Sequence, residues 1–228
     1  MLDTTFTTAD GWHVTLEATY VSFEALPGEG CNYKEADFGG VVYEAHNEVQ
    51  TLIRGAEARG CRYFITLRGA LRTPRIGPGA TNDDRLFFLS SRDALENPYS
   101  LRYRGVATFG DQRIVFDFGV ASPGGIQTFY ANVPEDSKVN TSFTMTPEEI
   151  FRAASSSSFV GPLLFTPIWY ADQRGNKDGF VTNEELDRVR VDRQGNLTVL
   201  DGIALSDYFS LRSVNLLRLR TLNVPDVP

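Results

Sequence analysis

The segment SLRYRGVATF-GDQ-RIVFDFGVA, residues 100–121, restricts the fold of this chain more than any other. Leu101, Tyr103, Gly105 and Ala107 alternate with Arg102, Arg104, Val106 and Thr108, and Ile114, Phe116 and Phe118 share one face of the return arm. A period of two sends successive side chains to opposite faces of a strand, so one face here is apolar and the other polar. Gly110-Asp111 supplies turn residues between the arms. The segment reads as a β-hairpin, and a hairpin needs further elements to cover its apolar face.

The neighbouring sequence supplies candidates for that cover. Residues 12–23 (WHVTLEATYVSF) read as a long strand, and 41–44 as a short one. Further strands are expected at 48–55 and in CRYFITLRGAL, RLFFLSS, IQTFYANV and VNTSFTM, with RTPRIGPGATNDD as turns. Many short strands separated by turn residues predict a mainly β fold, an antiparallel β-sandwich with Greek-key-like connections. The pattern changes at Thr146. TPEEIFRAA offers Thr146 as N-cap, Pro147 at the first helical position and Glu149 to complete a capping box. The serine run 155–158 ends this helix, and Thr166-Pro167 opens another through IWYA. From 206 to 222, Phe209, Val214, Leu216, Leu217 and Leu219 stand at roughly helical spacing. The expected organisation is a β domain over 1–145 and a small helical segment over 146–228.

Within that second part, NKDGFVTNEEL follows the EF-hand calcium loop, which needs oxygen ligands at positions 1, 3 and 5, Gly at 6, a carbonyl at 7 and Glu at 12. Asn176 falls on 3, Asp178 on 5, Gly179 on 6, Phe180 on 7, Val181 on the apolar position 8 and Glu185 on 12. Thr182 is placed to cap the exit helix. Position 1 departs from the pattern, because strict counting puts Arg174 there and a guanidinium does not ligate a cation. Asp172, two residues upstream, becomes the first ligand if the loop has gained two residues in QRG, with Gly175 giving the freedom to fold back. The metal-free alternative keeps the helix-turn-helix shape with Arg174 in place of the cation's charge. Next comes VDRQGNLTVLD, where Asp192, Gln194 and Asn196 have ligand-like spacing. Leu197 occupies the glycine position and Ile203 the final acidic one, so this stretch is expected to pair with the first loop as a structural mate without metal.

Charge narrows the partners. The formal net charge is -7 and the pI about 4.9. Nucleic-acid binding through counterion release needs a surplus of Lys and Arg, and so does docking on anionic membranes. No apolar run is long enough to cross a bilayer as a helix. The first residues lack the basic and apolar regions of an export signal. Either the protein is cytoplasmic or a signal has been removed; removal, with a periplasmic or extracellular location, is the expectation. In an oxidising compartment Cys31 and Cys61 would close a disulfide contributing about 3–4 kcal/mol. The alternative is two reduced thiols. Neither cysteine has zinc-site or CxxC spacing.

The run FTMTPEEIF...LLFTPIWYADQRGNKDGFVTNEEL resembles a group of uncharacterised bacterial envelope proteins and lipoproteins. In these a β-sandwich opens with a DGW-x-V strand, here Asp10, Gly11, Trp12 and Val14, and closes on an EF-hand-like segment. The resemblance covers residues 141–186 and, more loosely, the first strand. The β content, the acidic charge, the calcium loop and the lack of a catalytic constellation in the sequence lead to the expectation of an exported, calcium-stabilised binding or structural protein that docks an envelope component or assembles with itself. Histidines suited to a transition metal are common before the helix in that group, whereas Thr146 and Glu149 stand at those places here. His13 and His46 are the chain's two histidines; His46 lies near Glu44 and Glu48.

No nucleophile elbow or phosphate loop is present in the sequence. The alternatives are a carbohydrate-active enzyme or a transition-metal-binding periplasmic protein. The first requires two carboxylates converging across a cleft, for which Asp83, Asp84 and Asp117 are the ones to inspect, with Tyr99, Tyr103 and Tyr130 available to line a sugar face. The second requires His13 or His46 to meet Cys or acidic ligands.

Overall fold

A computed structural model describes residues 4–27, 41–45, 49–54, 63–66, 74–94, 98–121, 137–153, 161–199, 201–213 and 216–225. They are sheet-rich and form two compact units, each assembled from separate stretches of chain. The first unit takes residues 1–19, 101–121 and 146–216, and the second takes 20–100, 122–145 and 217–228. The step from Met145 to Thr146 is one of several places where the chain passes between them.

The first unit is built on a mixed five-stranded sheet. β1 (Thr4–Thr7) pairs antiparallel with β2 (His13–Pro27), and β2 lies beside β7 (Tyr99–Phe109), which turns at Gly110 into β8 (Gln112–Ala121). The two-residue β10 (Phe180–Val181) adds to β8 in parallel. The hairpin's alternation holds: Leu101, Tyr103, Ala107, Ile114, Phe116 and Phe118 are buried. Helical elements, not a second sheet, cover this face. Phe151, from a 3-10 helix at Pro147–Phe151, packs against Tyr103 and Phe116. Phe165 meets Phe116 and Trp12 at the start of α2 (Thr166–Arg174). Phe209 of α4 (Leu205–Ser213) stacks on Phe118 at 5.4 Å. α3 (Asn183–Arg188) follows β10 directly, and β11 (Arg190–Val191) and β12 (Ile203–Ala204) form a short antiparallel pair before α4.

In the second unit, β3 (Val41–Glu44) pairs with the Tyr20–Phe23 part of β2 and, in parallel, with β6 (Arg75–Ile76). β5 (Tyr63–Thr66) pairs with the end of β2. A separate antiparallel sheet has β9 (Ser137–Met145) between β4 (Val49–Arg54) and β13 (Leu217–Pro225).

Three elements differ from expectation. RLFFLSS is not a strand but part of α1 (Asn82–Ala94). Thr81 starts it: the Asp84 carboxylate accepts the Thr81 N–H at 2.8 Å, and the Asp84 N–H reaches back to the Thr81 hydroxyl. Asp84, Phe88 and Ser91 are buried at helical spacing. TPEEIFRAA forms a 3-10 helix instead of a capped α-helix. Glu149 turns to Arg152 in a two-pronged ion pair at 2.6 and 2.7 Å, and Thr146 makes no side-chain cap. The tail is helical only to Ser213; Leu217 and Leu219 alternate with Arg218 and Arg220, and this stretch joins β9 as β13. The serine run 155–158, IQTFYANV, Cys31, Cys61, His46, Glu48 and Tyr130 lie outside the described residues. No helix among the described residues is long and apolar enough to cross a membrane.

Candidate functional site

Asp10-Gly11-Trp12 anchors the helical cover to the sheet. In the turn between β1 and β2, Thr8 and Trp12 exchange backbone and hydroxyl hydrogen bonds, which fixes Asp10 at the tip. Asp10 Oδ2 accepts the N–H groups of Phe165 at 3.0 Å and Thr166 at 2.7 Å, capping α2 from far away in sequence. Burial alone would raise the Asp10 carboxyl. The Thr166 and Thr8 hydroxyls and the two backbone N–H groups outweigh it and hold the pKa below its usual value. Trp12 is buried against Phe165, Phe109 and Trp169. The start of α2, and hence of the loop it feeds, is therefore set by the first strand.

At the other end of α2 the chain closes a loop held by its own carboxylates. Asp172 is buried, and its Oδ1 accepts the Gly179 N–H at 2.8 Å. Asn176 Oδ1 accepts the Asp178 N–H at 3.1 Å, and Asp178 Oδ1 accepts the Phe180 N–H at 2.8 Å. Glu185, also buried, accepts the Asn176 N–H on Oε1 and the Thr182 N–H on Oε2, completing a capping box with Thr182. Asp172, Asn176, Asp178 and Glu185 thus all serve one loop, with Asp172 on the Gly179 amide despite the two additional residues.

Two details depart from expectation. Gly175 has a negative φ of -84°, so it is not there for left-handed freedom. It makes room, since a Cβ at Gly175 would stand 1.9 Å from Glu185 Oε1. The left-handed positions are Lys177, with φ 59°, and Gly179, with φ 78°. Arg174 does not replace a cation in the loop: its guanidinium lies 5.3 Å over the Tyr170 ring and its Nε donates to the Tyr170 hydroxyl.

The pairing of the loop's short strand is a further correction. β10 does not pair with the second loop. Phe180 and Val181 lie in register with Val115 and Phe116 of β8, and β11 pairs with β12 instead. The second loop is closed on itself, with Asp192 Oδ1 accepting the N–H groups of Gln194 and Asn196 at 2.9 Å. The Asp-Gly-apolar-apolar-helix order of Asp178–Phe180–Val181–α3 recurs at Asp201, Gly202, Ile203 and Ala204 before α4. That repeat was available in the sequence.

In chemistry the donors of the first loop suit a hard divalent cation: three carboxylates, one amide oxygen and the Phe180 carbonyl. In the conformation described, the loop's own N–H groups engage these carboxylates. Among the described residues no three His, Cys, Asp or Glu side chains are drawn together as a metal-holding group. The other candidates have structural occupations. Asp84 caps α1, Asp117 forms a paired ion bridge with Arg102 at 2.6 and 2.8 Å, and His13 Nδ1 bonds the Thr7 hydroxyl. Tyr103 is fully buried, and burial pushes its hydroxyl pKa well up. Tyr99 stacks on Phe87. A cavity beneath the helices, lined by Ile150, Phe151, Leu164, Ile168, Leu205 and Phe209, is apolar and has about 10 Å³ of free space, about what one water needs. No protein-family model matches the chain, and no curated protein or solved structure matches it either.

Proposed function

We propose that this chain is a calcium-stabilised binding or structural protein of the bacterial cell envelope, in which an EF-hand-like loop fixes a helical layer to a β sheet. The observation that carries the reading is Asp172. Its carboxylate sits on the Gly179 amide, while Asn176 and Asp178 bond the amides two residues on, so the loop's own amides gather three of the side chains that would ligate the ion. Asp172, Asn176, Asp178, Glu185 and the Phe180 carbonyl would hold the cation, which supplies no chemistry beyond neutralising three carboxylates and tightening the turn. The acidic charge, the sheet-rich composition and the resemblance to envelope lipoproteins support an exported, assembling protein. The sandwich architecture expected from sequence is retained as a proposal for the second unit, where the β4–β9–β13 sheet is separate from the β2–β3–β6 ladder.

Calorimetric titration with calcium, paired with thermal melts in calcium and in chelator, tests this reading. At about 100 times Kd, one bound ion adds about 2.7 kcal/mol, which for a chain of this size raises Tm by about 5–10 °C. A melt indifferent to calcium and chelator, with no titration heat, would overturn it.

A further inference from the structure

The loop exit does more than lead into α3. Strand β8 carries β7 on one side, and its other side faces residues 179–183. The Gly179 carbonyl accepts the Val115 N–H at 2.8 Å, and β10 runs in register with Val115 and Phe116. Two residues further on, the Asn183 side chain takes the place of a backbone. Its Oδ1 accepts the Gly119 N–H and its Nδ2 donates to the Gly119 carbonyl, both at 2.7 Å. A primary amide presents the same donor and acceptor as a peptide group, so Asn183 continues the ladder where the chain has already turned into a helix.

We propose that residues 179–183 are a detachable cover for the β8 edge, clamped by Asn183, and that the uncovered edge pairs with β8 of a second copy of this chain. A ten-residue strand rich in β-branched and aromatic residues is a template for strand addition when its edge is bare. The occupant follows from charge. The N–H and C=O groups of Val115 and Gly119 point to the edge, as those of residues 113 and 117 do by alternation. An antiparallel two-fold register centred on Val115 sets Arg113 opposite Asp117 of the second copy, and by symmetry does so twice. Centring on Asp117 would set two carboxylates against each other. The inference rests on the assembly part of the proposed function and does not require the calcium reading; because Phe180 lies in the cover, the test is made without calcium.

The test compares wild type with Asn183→Ala and the near-isosteric Asn183→Asp, all in chelator, by amide hydrogen exchange and sedimentation equilibrium. Asn183→Asp keeps the shape but sets a carboxylate against the Gly119 carbonyl. At a concentration too low for association both variants are expected to speed exchange at Val115 and Gly119 at least tenfold, and at higher concentration to form a dimer absent from wild type, in which the Val115 N–H is protected again. Arg113→Glu added to either should return the monomer. Unchanged exchange at Gly119 would overturn the cover. A folded variant with fast exchange that stays monomeric, or a dimer that survives Arg113→Glu, would overturn the pairing. A flat calcium titration of wild type would remove the metal reading and leave this one standing.

Discussion

Asp10 accepts the N–H groups that open α2, 155 residues away in sequence, so one carboxylate joins the first hairpin to the helical cover. Asp10→Ala should cost about 1 kcal/mol, the usual cost of losing an N-cap, in urea unfolding at neutral pH. Because the folded-state pKa lies below its usual value of 3.8, this contribution is complete above 3.8 and fades as pH falls through the lower folded value. The gap between wild type and Asp10→Ala should therefore narrow as the pH is lowered below 3.8; a gap constant down to the acid unfolding of the protein would mean the carboxylate charge is not what caps the helix. Asp172 and Arg174 separate two readings of the loop in the same way. Arg174 belongs to Tyr170 and Asp172 to Gly179. Hence Arg174→Ala should leave calcium affinity within about threefold, whereas Asp172→Asn should weaken it at least tenfold, about 1.4 kcal/mol. Equal effects in titration would reject Asp172 as the first ligand.

At the level of elements, α3 depends on a glycine in the preceding helix–loop junction. Gly175→Ala would drive its methyl group into the Glu185 carboxylate, which then must leave the Asn176 and Thr182 amides. A loss of about 1–3 kcal/mol is expected, read as a lower denaturation midpoint with unchanged m-value; an unchanged midpoint would show that the carboxylate has room elsewhere. The capping box of Thr182 and Glu185 was legible in the sequence because its contacts are local, whereas the part played by Gly175 was not, since it depends on where the Glu185 carboxylate comes to lie. Elements whose signal is local at only one end were misread. In RLFFLSS the apolar residues fit either period, and the deciding signal lay upstream, in Thr81 and Asp84. Around Leu216 and Leu217 two adjacent leucines imitate a helical face, although the Leu-Arg-Leu-Arg alternation that follows is a strand's. The hairpin at 100–121 was read correctly because period, turn and length agree. Nothing local announces that β10 pairs with β8 or that Asn183 reaches Gly119, 64 residues away. Edge pairing is decided by which strand is left bare once the sheet has formed.

For the molecule as a whole, the interleaving of the two units decides what can be cut. A break at residue 145 looks natural in the sequence, yet residues 146–216 belong to the same compact unit as 1–19 and 101–121. The apolar face formed by Trp12, Phe116 and Phe118 is closed by Phe151, Phe165 and Phe209, which all come from after the break. Leaving Trp12, Phe116 and Phe118 uncovered forfeits about 2 kcal/mol each. A combined loss of about 6 kcal/mol equals or exceeds the lower end of the whole stability of an ordinary domain. Removal of 146–228 also takes away β10 and Asn183, so the β8 edge loses its cover together with the sheet's apolar face. A 1–145 fragment is therefore expected to lack a cooperative thermal transition, to lose near-ultraviolet circular dichroism and to associate with itself. Adding a separate 146–228 fragment should restore the transition only if it rebuilds the Phe165 and Phe209 contacts, so Phe209→Ala in that fragment should weaken the rescue. Cooperative unfolding of 1–145 alone, as a monomer, would show instead that the sheet is closed by its own strands and that the helical layer is an accessory.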